Sequence, residues 1–275
     1  MKTNPAQSRA ARCRAFEKIS PRESRLASPT RGFTLVELLA LLAMLAVLAL
    51  MSLPALCKTN LDSQAFTCMN NKRQLTQAWL MFAADNNEQL PSSRNWIGGD
   101  FGLYGTSSTD CTNVSYLIAG ALNSYVGNSI GVYKCPGDTR TYGGVPIVRS
   151  VSMNCYIGIG WTGGFFVYTK ISDLRRPGPA NTIVFTDEGP TLNDGFFVTD
   201  MGSYDPSDRY KYSTCAPGAY HSMADSLSFA DGHCEIHKWK DTQTLTVTTT
   251  FTWVAPNDID WLQSKSSARS TYPTR

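Results

Sequence analysis

All three histidines of the chain, His221, His233 and His237, fall within 17 residues, beside Asp225, Asp231 and Glu235. Imidazole and carboxylate together are plausible zinc chemistry. The same residues have a plainer use. Asp231-Gly232 is a preferred hairpin turn pair, His233 and His237 fit polar strand positions, and His221 can hydrogen-bond across the loop. Oxygen donors of the kind calcium prefers occur in "TDE" at 186–188 and "NDG" at 193–195, without EF-hand spacing. Ligand types without a geometry do not define a centre. The expectation is therefore no metal site and no cofactor, with calcium or zinc as the ions these donors would suit.

Nucleophilic and nucleotide chemistry is poorly represented. There is no G-x-S-x-G elbow, no G-x-x-x-x-G-K-[ST] loop, no G-x-G-x-x-G fingerprint and no H-E-x-x-H helix. The glycine-rich "GIGWTGG" at 158–164 has no phosphate-loop lysine and reads as a strand bend or loop. No catalytic residue is expected. Eight cysteines are present; Cys13 and Cys57 lie early in the chain, leaving Cys68, Cys111, Cys135, Cys155, Cys215 and Cys234. An even set in an exported domain is a disulfide framework with 15 pairings open. No C-x-x-C pair occurs, which argues against structural zinc.

These residues need elements to hold them. "SLSFADGHCEIHKW" at 226–239 predicts a hairpin in which a two-residue Asp231-Gly232 turn pairs Phe229 with Cys234 and Leu227 with Ile236. Leu227, Phe229, Cys234 and Ile236 would share a packed face, and Ser228, His233, Glu235 and His237 the other. "GVYKCPGD", "VRSVSMNCYIGIGW" and "NTIVFTDE" read as strands, and "VSYLIAGALNSYVG" as a short helix. Upstream, Leu61, Ala65, Cys68, Leu75, Trp79 and Phe82 step by threes and fours, with Lys72 interrupting, and "DNNEQLP" at 85–91 ends that helix.

Before it, Phe33 to Leu56 is an apolar run with Glu37 as its one charge. As a helix it would be about 36 Å long, enough for a hydrocarbon core of about 30 Å. A carboxylate inside a span is costly and by default functional. Residues 1–32 carry eight basic and two acidic side chains with three prolines and should be disordered. The chain's formal charge is +3, but without this leader 17 basic and 20 acidic side chains remain, net −3. The basic pI belongs to the leader, and nucleic acid is not an expected partner.

"RGFTLVELL" resembles the processing site of type IV prepilins and type II secretion pseudopilins. The resemblance extends to His221 followed by nine residues and Asp231-Gly232, and to "CMNNKRQL", "YKCPGD", "RSVSMN", "LRRPGPANTIVFTDE" and "FADGH". It implies cleavage by prepilin peptidase between Gly32 and Phe33, N-methylation of Phe33, and assembly through Glu37, with Pro54 loosening the helix. It implies a pilin-like α+β fold: a long N-terminal helix, transmembrane in its inner half and amphipathic in its outer half, packed on a mostly antiparallel β-sheet head. The expected segments are a cytoplasmic leader at 1–32, a transmembrane helix at 33–56, a stem at 57–84, a head at 85–240 and a partly disordered Thr-rich segment at 241–275. The implied role is a subunit of a pseudopilus or type IV pilus-like filament serving secretion. Like subunits, other pseudopilins and inner-membrane assembly machinery would be its partners. It would sit in a bacterial inner membrane as a single-pass protein, head in the periplasm or outside the cell. A surface pilin for adhesion, motility or DNA uptake, and an anchored ligand- or metal-binding protein, are the alternatives.

Overall fold

The steps of three and four fold as a helix, α1, over Leu35–Asp85. This computed structural model describes residues 32–99, 108–158, 165–201, 212–246 and 253–269. The leader up to residue 31, the part of "GIGWTGG" after Gly158 and positions 247–252 of the Thr-rich segment lie outside the described residues. The start of α1 is closed by a reciprocal cap. Thr34 donates from its backbone N and from Oγ1 to Glu37 Oε2, both at 2.9 Å, while Glu37 N donates to Thr34 Oγ1 at 3.2 Å. Asn87 and Glu88, both at positive φ, turn the chain away just after Asp85.

The expected pilin-like arrangement needs correction. Among the described residues no helix is long and apolar enough to cross a membrane. The transmembrane inner half, and with it the single-pass inner-membrane placement, is therefore not what the structure has. Only the part of α1 from Ser52 onward belongs to the unit that holds the sheet. The chain divides into units Met1–Met51 and Ser52–Arg275, and the boundary falls inside the helix.

In the second unit the helix buries Ala65, Cys68, Lys72, Leu75, Thr76, Ala78, Trp79 and Ala83, one continuous stripe. Leu75, Ala78 and Trp79 join Tyr133, Met153, Tyr168 and Phe185 in the main apolar cluster. After a four-residue helix α2 (Ser115–Ile118) come the small hairpin β1 (Thr141–Tyr142) and β2 (Val145–Pro146), then β3 (Val151–Asn154), β4 (Ile183–Asp187) and β5 (Phe196–Phe197). They are followed by β6 (Tyr212–Ser213), β7 (Ala224–Phe229), β8 (Cys234–Lys238), α3 (Thr242–Thr246), β9 (Trp253–Val254) and α4 (Pro256–Ser266). The main sheet has the order β5-β3-β4-β7-β8. Its β3–β5 pair is parallel and the others antiparallel.

Four local expectations change. "GVYKCPGD" forms a 3-10 turn at Ile130–Tyr133 and then a tight bend, not a strand, because Pro136 and Gly137 favour turning. The hairpin is shifted by one residue: Ser228 faces Cys234 and Leu227 faces Glu235. Its loop is three residues, with Gly232 N donating to Phe229 O at 2.9 Å and Gly232 at φ +94°. That is the turn-plus-left-handed-residue connection, which glycine accepts readily. The expected division into packed and wet faces fails too, since every residue of β7 is buried. Finally, α4 occupies part of the expected disordered tail, where Pro256 opens a helix whose Leu262 packs with Leu227, Phe229 and Trp239.

Candidate functional site

The stripe of α1 delivers Lys72 to the interior with no exposed surface, facing the end of β4 and the start of β7. Lys72 Nζ lies 2.6 Å from Asp187 Oδ2 and 4.0 Å from Asp225 Oδ1. All three side chains are fully buried. Asp187 also accepts from Ser150 Oγ at 2.7 Å, and Asp225 Oδ2 accepts from Thr186 Oγ1 at 2.6 Å and Asp187 N at 3.0 Å. Burial pushes the Asp187 carboxyl up, but Lys72, Cys68 and Ser150 together hold it below the usual carboxylate range. Burial and the neighbouring Asp187 charge push Asp225 well above it. The Lys72–Asp187 pair thus sits beside a second carboxyl, Asp225, whose surroundings favour its protonated form.

One turn of helix before Lys72, the Cys68 sulfur lies 2.9 Å from Asp187 Oδ2 and accepts from Ser226 Oγ at 2.9 Å. Cys135 and His221 complete the cluster. Cys135 Sγ is 3.1 Å from His221 Nε2 and accepts from Gly137 N at 3.3 Å. The Cys68 thiol, the His221 ring and Lys72 favour the Cys135 thiolate and bring it down to about 6, whereas its neighbours and burial keep Cys68 protonated. The backbone explains the arrangement. The Cys-Pro-Gly bend fixes Cys135, whose N–H donates to Ser150 Oγ at 2.7 Å, and His221 N donates to Ala224 O at 3.2 Å just before β7. A cleft of about 640 Å³, lined by Thr67, Asn71, Gln74, Lys134, Cys135 and Asp138 among others, opens beside the cysteine.

Comparison with known proteins gives no match: no family model fits the chain, and no curated protein or solved structure is significantly similar to it. The site must be judged on its own chemistry.

The three histidines part company. His233 Nδ1 lies 2.5 Å from Asp231 Oδ1 and its ring stacks on Phe229, while His237 stacks on Trp261. Asp231 and Gly232 shape the turn, so the His221-to-Gly232 signature serves two separate places. Among the described residues no disulfide joins the six candidate cysteines. Cys111, Cys155 and Cys215 lie in different apolar clusters and Cys234 is on β8. Cys68 and Cys135 are brought together without a bond between their sulfurs. Of the oxygens considered for calcium, Asp187 is bound to Lys72, and Glu188 accepts from Ser152 Oγ at 2.7 Å and Thr191 Oγ1 at 2.9 Å. Asp194 O accepts from Arg149 at 2.6 Å. Gly32, Phe33 and Glu37 belong to the start of α1 and take no part in this cluster, and the side chain of Pro54 lies outside the described residues.

Sequence reasoning missed Lys72, Asp187 and Asp225 as a group. The signal was present, since Lys72 interrupts an apolar stripe and Asp187 ends the apolar run "TIVF".

Glu188 supplies a pH test. Burial raises its carboxyl to about 7. A raised folded-state value means that its favourable contribution is full below the ordinary value near 4.5 and is lost as pH rises to about 7. The difference corresponds to on the order of 3 kcal/mol. Glu188→Gln, which keeps one of the two acceptor oxygens that Ser152 and Thr191 use, should flatten the decline in unfolding free energy between about pH 4.5 and 7. Parallel parent and variant profiles in denaturant titrations would contradict this assignment.

Proposed function

We propose that the chain is a structural subunit that assembles through its N-terminal helix into a pseudopilus or type IV pilus-like filament, after prepilin peptidase cleaves between Gly32 and Phe33. One observation carries this reading. Leu35, Val36, Leu38, Leu39, Leu41, Leu42, Met44, Leu45 and Val47 are each half exposed or more, and successive positions cover every side of the helix. A helix apolar all round belongs in the interior of something larger. The occupant proposed is the same helix of further copies, staggered along an axis.

Glu37 supports this reading. Its carboxylate is oriented by Thr34 at the helix start, one residue from the amine that cleavage would free on Phe33. An amine from a neighbouring copy would find an acceptor already held in place. The filament's work is mechanical and binding, so no substrate is turned over.

Intact mass spectrometry of protein isolated from its host should find a chain that begins at Phe33 and carries one added methyl group. Crosslinking from Leu41→Cys in the same preparation should give a ladder of subunits. A product that retains Arg31, or a species that stays monomeric under crosslinking, would overturn the reading.

A further inference from the structure

Cys68, Cys135 and His221 come from three distant segments: α1, the Cys-Pro-Gly bend and the loop before β7. Their ligating atoms nevertheless all lie within 4.8 Å of one another, and all three residues are buried. Around a tetrahedral zinc with bonds of about 2.0–2.3 Å, donor atoms stand roughly 3.3–3.8 Å apart. The Cys135–His221 separation of 3.1 Å is already close to that figure. We propose that these three side chains bind a thiophilic divalent cation of the zinc class, leaving its fourth position open toward the cleft that Cys135 lines.

Four features support the assignment. Two thiolates and an imidazole are soft and borderline donors, which select zinc over calcium or magnesium. Gly137 N–H donates to Cys135 Sγ, the kind of backbone donor that steadies a metal-bound thiolate. Gly137 also lets the bend lie against the imidazole, since a Cβ there would come within 3.3 Å of His221 Cε1 and 3.0 Å of Tyr220 Cβ. The charges fit as well. Lys72 is matched by Asp187, so two ligating thiolates would be left as buried negative charge that a divalent ion neutralises.

On binding, the Cys68 thiol loses its proton to solvent and both sulfurs bond the ion as thiolates, with no change in oxidation state. The cleft of about 640 Å³ that Cys135 helps to line is the nearest described open volume to the site. The ion would tie α1 to the bend and to the strand that opens the last hairpin. It belongs to the head alone, so its failure would leave the filament reading untouched.

Cobalt(II) titration of the reduced full-length chain tests the site. About one ion per chain should bind, with a thiolate-to-cobalt charge-transfer band and the visible bands of a tetrahedral centre. Cys135→Ser and Cys68→Ser should lose these bands, while Cys111→Ser and Cys234→Ser keep them. X-ray absorption of the zinc-loaded parent avoids any folding defect of a variant and should find two sulfurs and at least one nitrogen on the metal. Folded, reduced protein that takes up no cobalt, a zinc shell without sulfur, or a Cys68–Cys135 disulfide in chain alkylated at isolation would each overturn the proposal.

Discussion

Lys72→Met should lower the unfolding free energy of the head by about 3–5 kcal/mol, the usual consequence of removing one partner from a buried ion pair. Asp187 Oδ2, 2.6 Å from the ammonium in the parent, would be left with no cation in a site closed to water. Its stability profile should also change sign with pH. In the parent, Asp187 is held below the ordinary carboxylate value, so its contribution is present above that value and lost as pH falls. Without Lys72 the same carboxyl would be raised, so the variant should gain stability as pH falls toward and below the ordinary range. The double variant Lys72→Met/Asp187→Leu should recover much of the loss, because an apolar pair of similar size is often neutral or stabilising. Urea titrations from acid to neutral pH decide the matter. Equal midpoints for Lys72→Met and the parent would mean that the pair contributes nothing.

The second large effect is on assembly. Glu37→Leu should leave the head folded, since Glu37 is fully exposed and bonded to Thr34 alone among the described contacts. The subunit ladder from Leu41→Cys should nevertheless collapse to monomer and dimer. A neighbour's freed amine would lose its acceptor, and a uniformly apolar helix surface would no longer specify one stagger. Glu37→Gln, which retains an acceptor and most of the cap, should fall between the two. A ladder as long as the parent's in Glu37→Leu would show that the carboxylate caps its own helix and does nothing more.

The hairpin near the C-terminus was legible because Asp-Gly between alternating residues is a strong local signal. Its register was not, since the choice between a two- and a three-residue loop rests on where Ala230 sits, and Ala230 packs inside the main cluster. The outer stripe of α1 was legible from its spacing. Lys72 was read as an interruption because one sequence does not show that Asp187 and Asp225 meet it across 115 and 153 residues. The Cys68–Cys135–His221 group was hidden for the same reason: metal-site reasoning looks for close pairs, and these ligands are 67 and 86 residues apart. The membrane-crossing expectation was overturned separately: among the described residues no helix is long and apolar enough to cross a membrane.

The distance along the chain between Lys72 and Asp225 has a consequence for how the protein is made. At about 5–20 residues per second, a ribosome adds the intervening 153 residues in roughly 8–30 s. During that interval Lys72 has no Asp225, the last hairpin does not exist, and the sheet lacks both β7 and β8. The apolar start of α1 has by then already been synthesised. Each new chain therefore passes through a period in which the exposed apolar face at the start of α1 exists while its head is unfinished, until residue 239 or so has emerged.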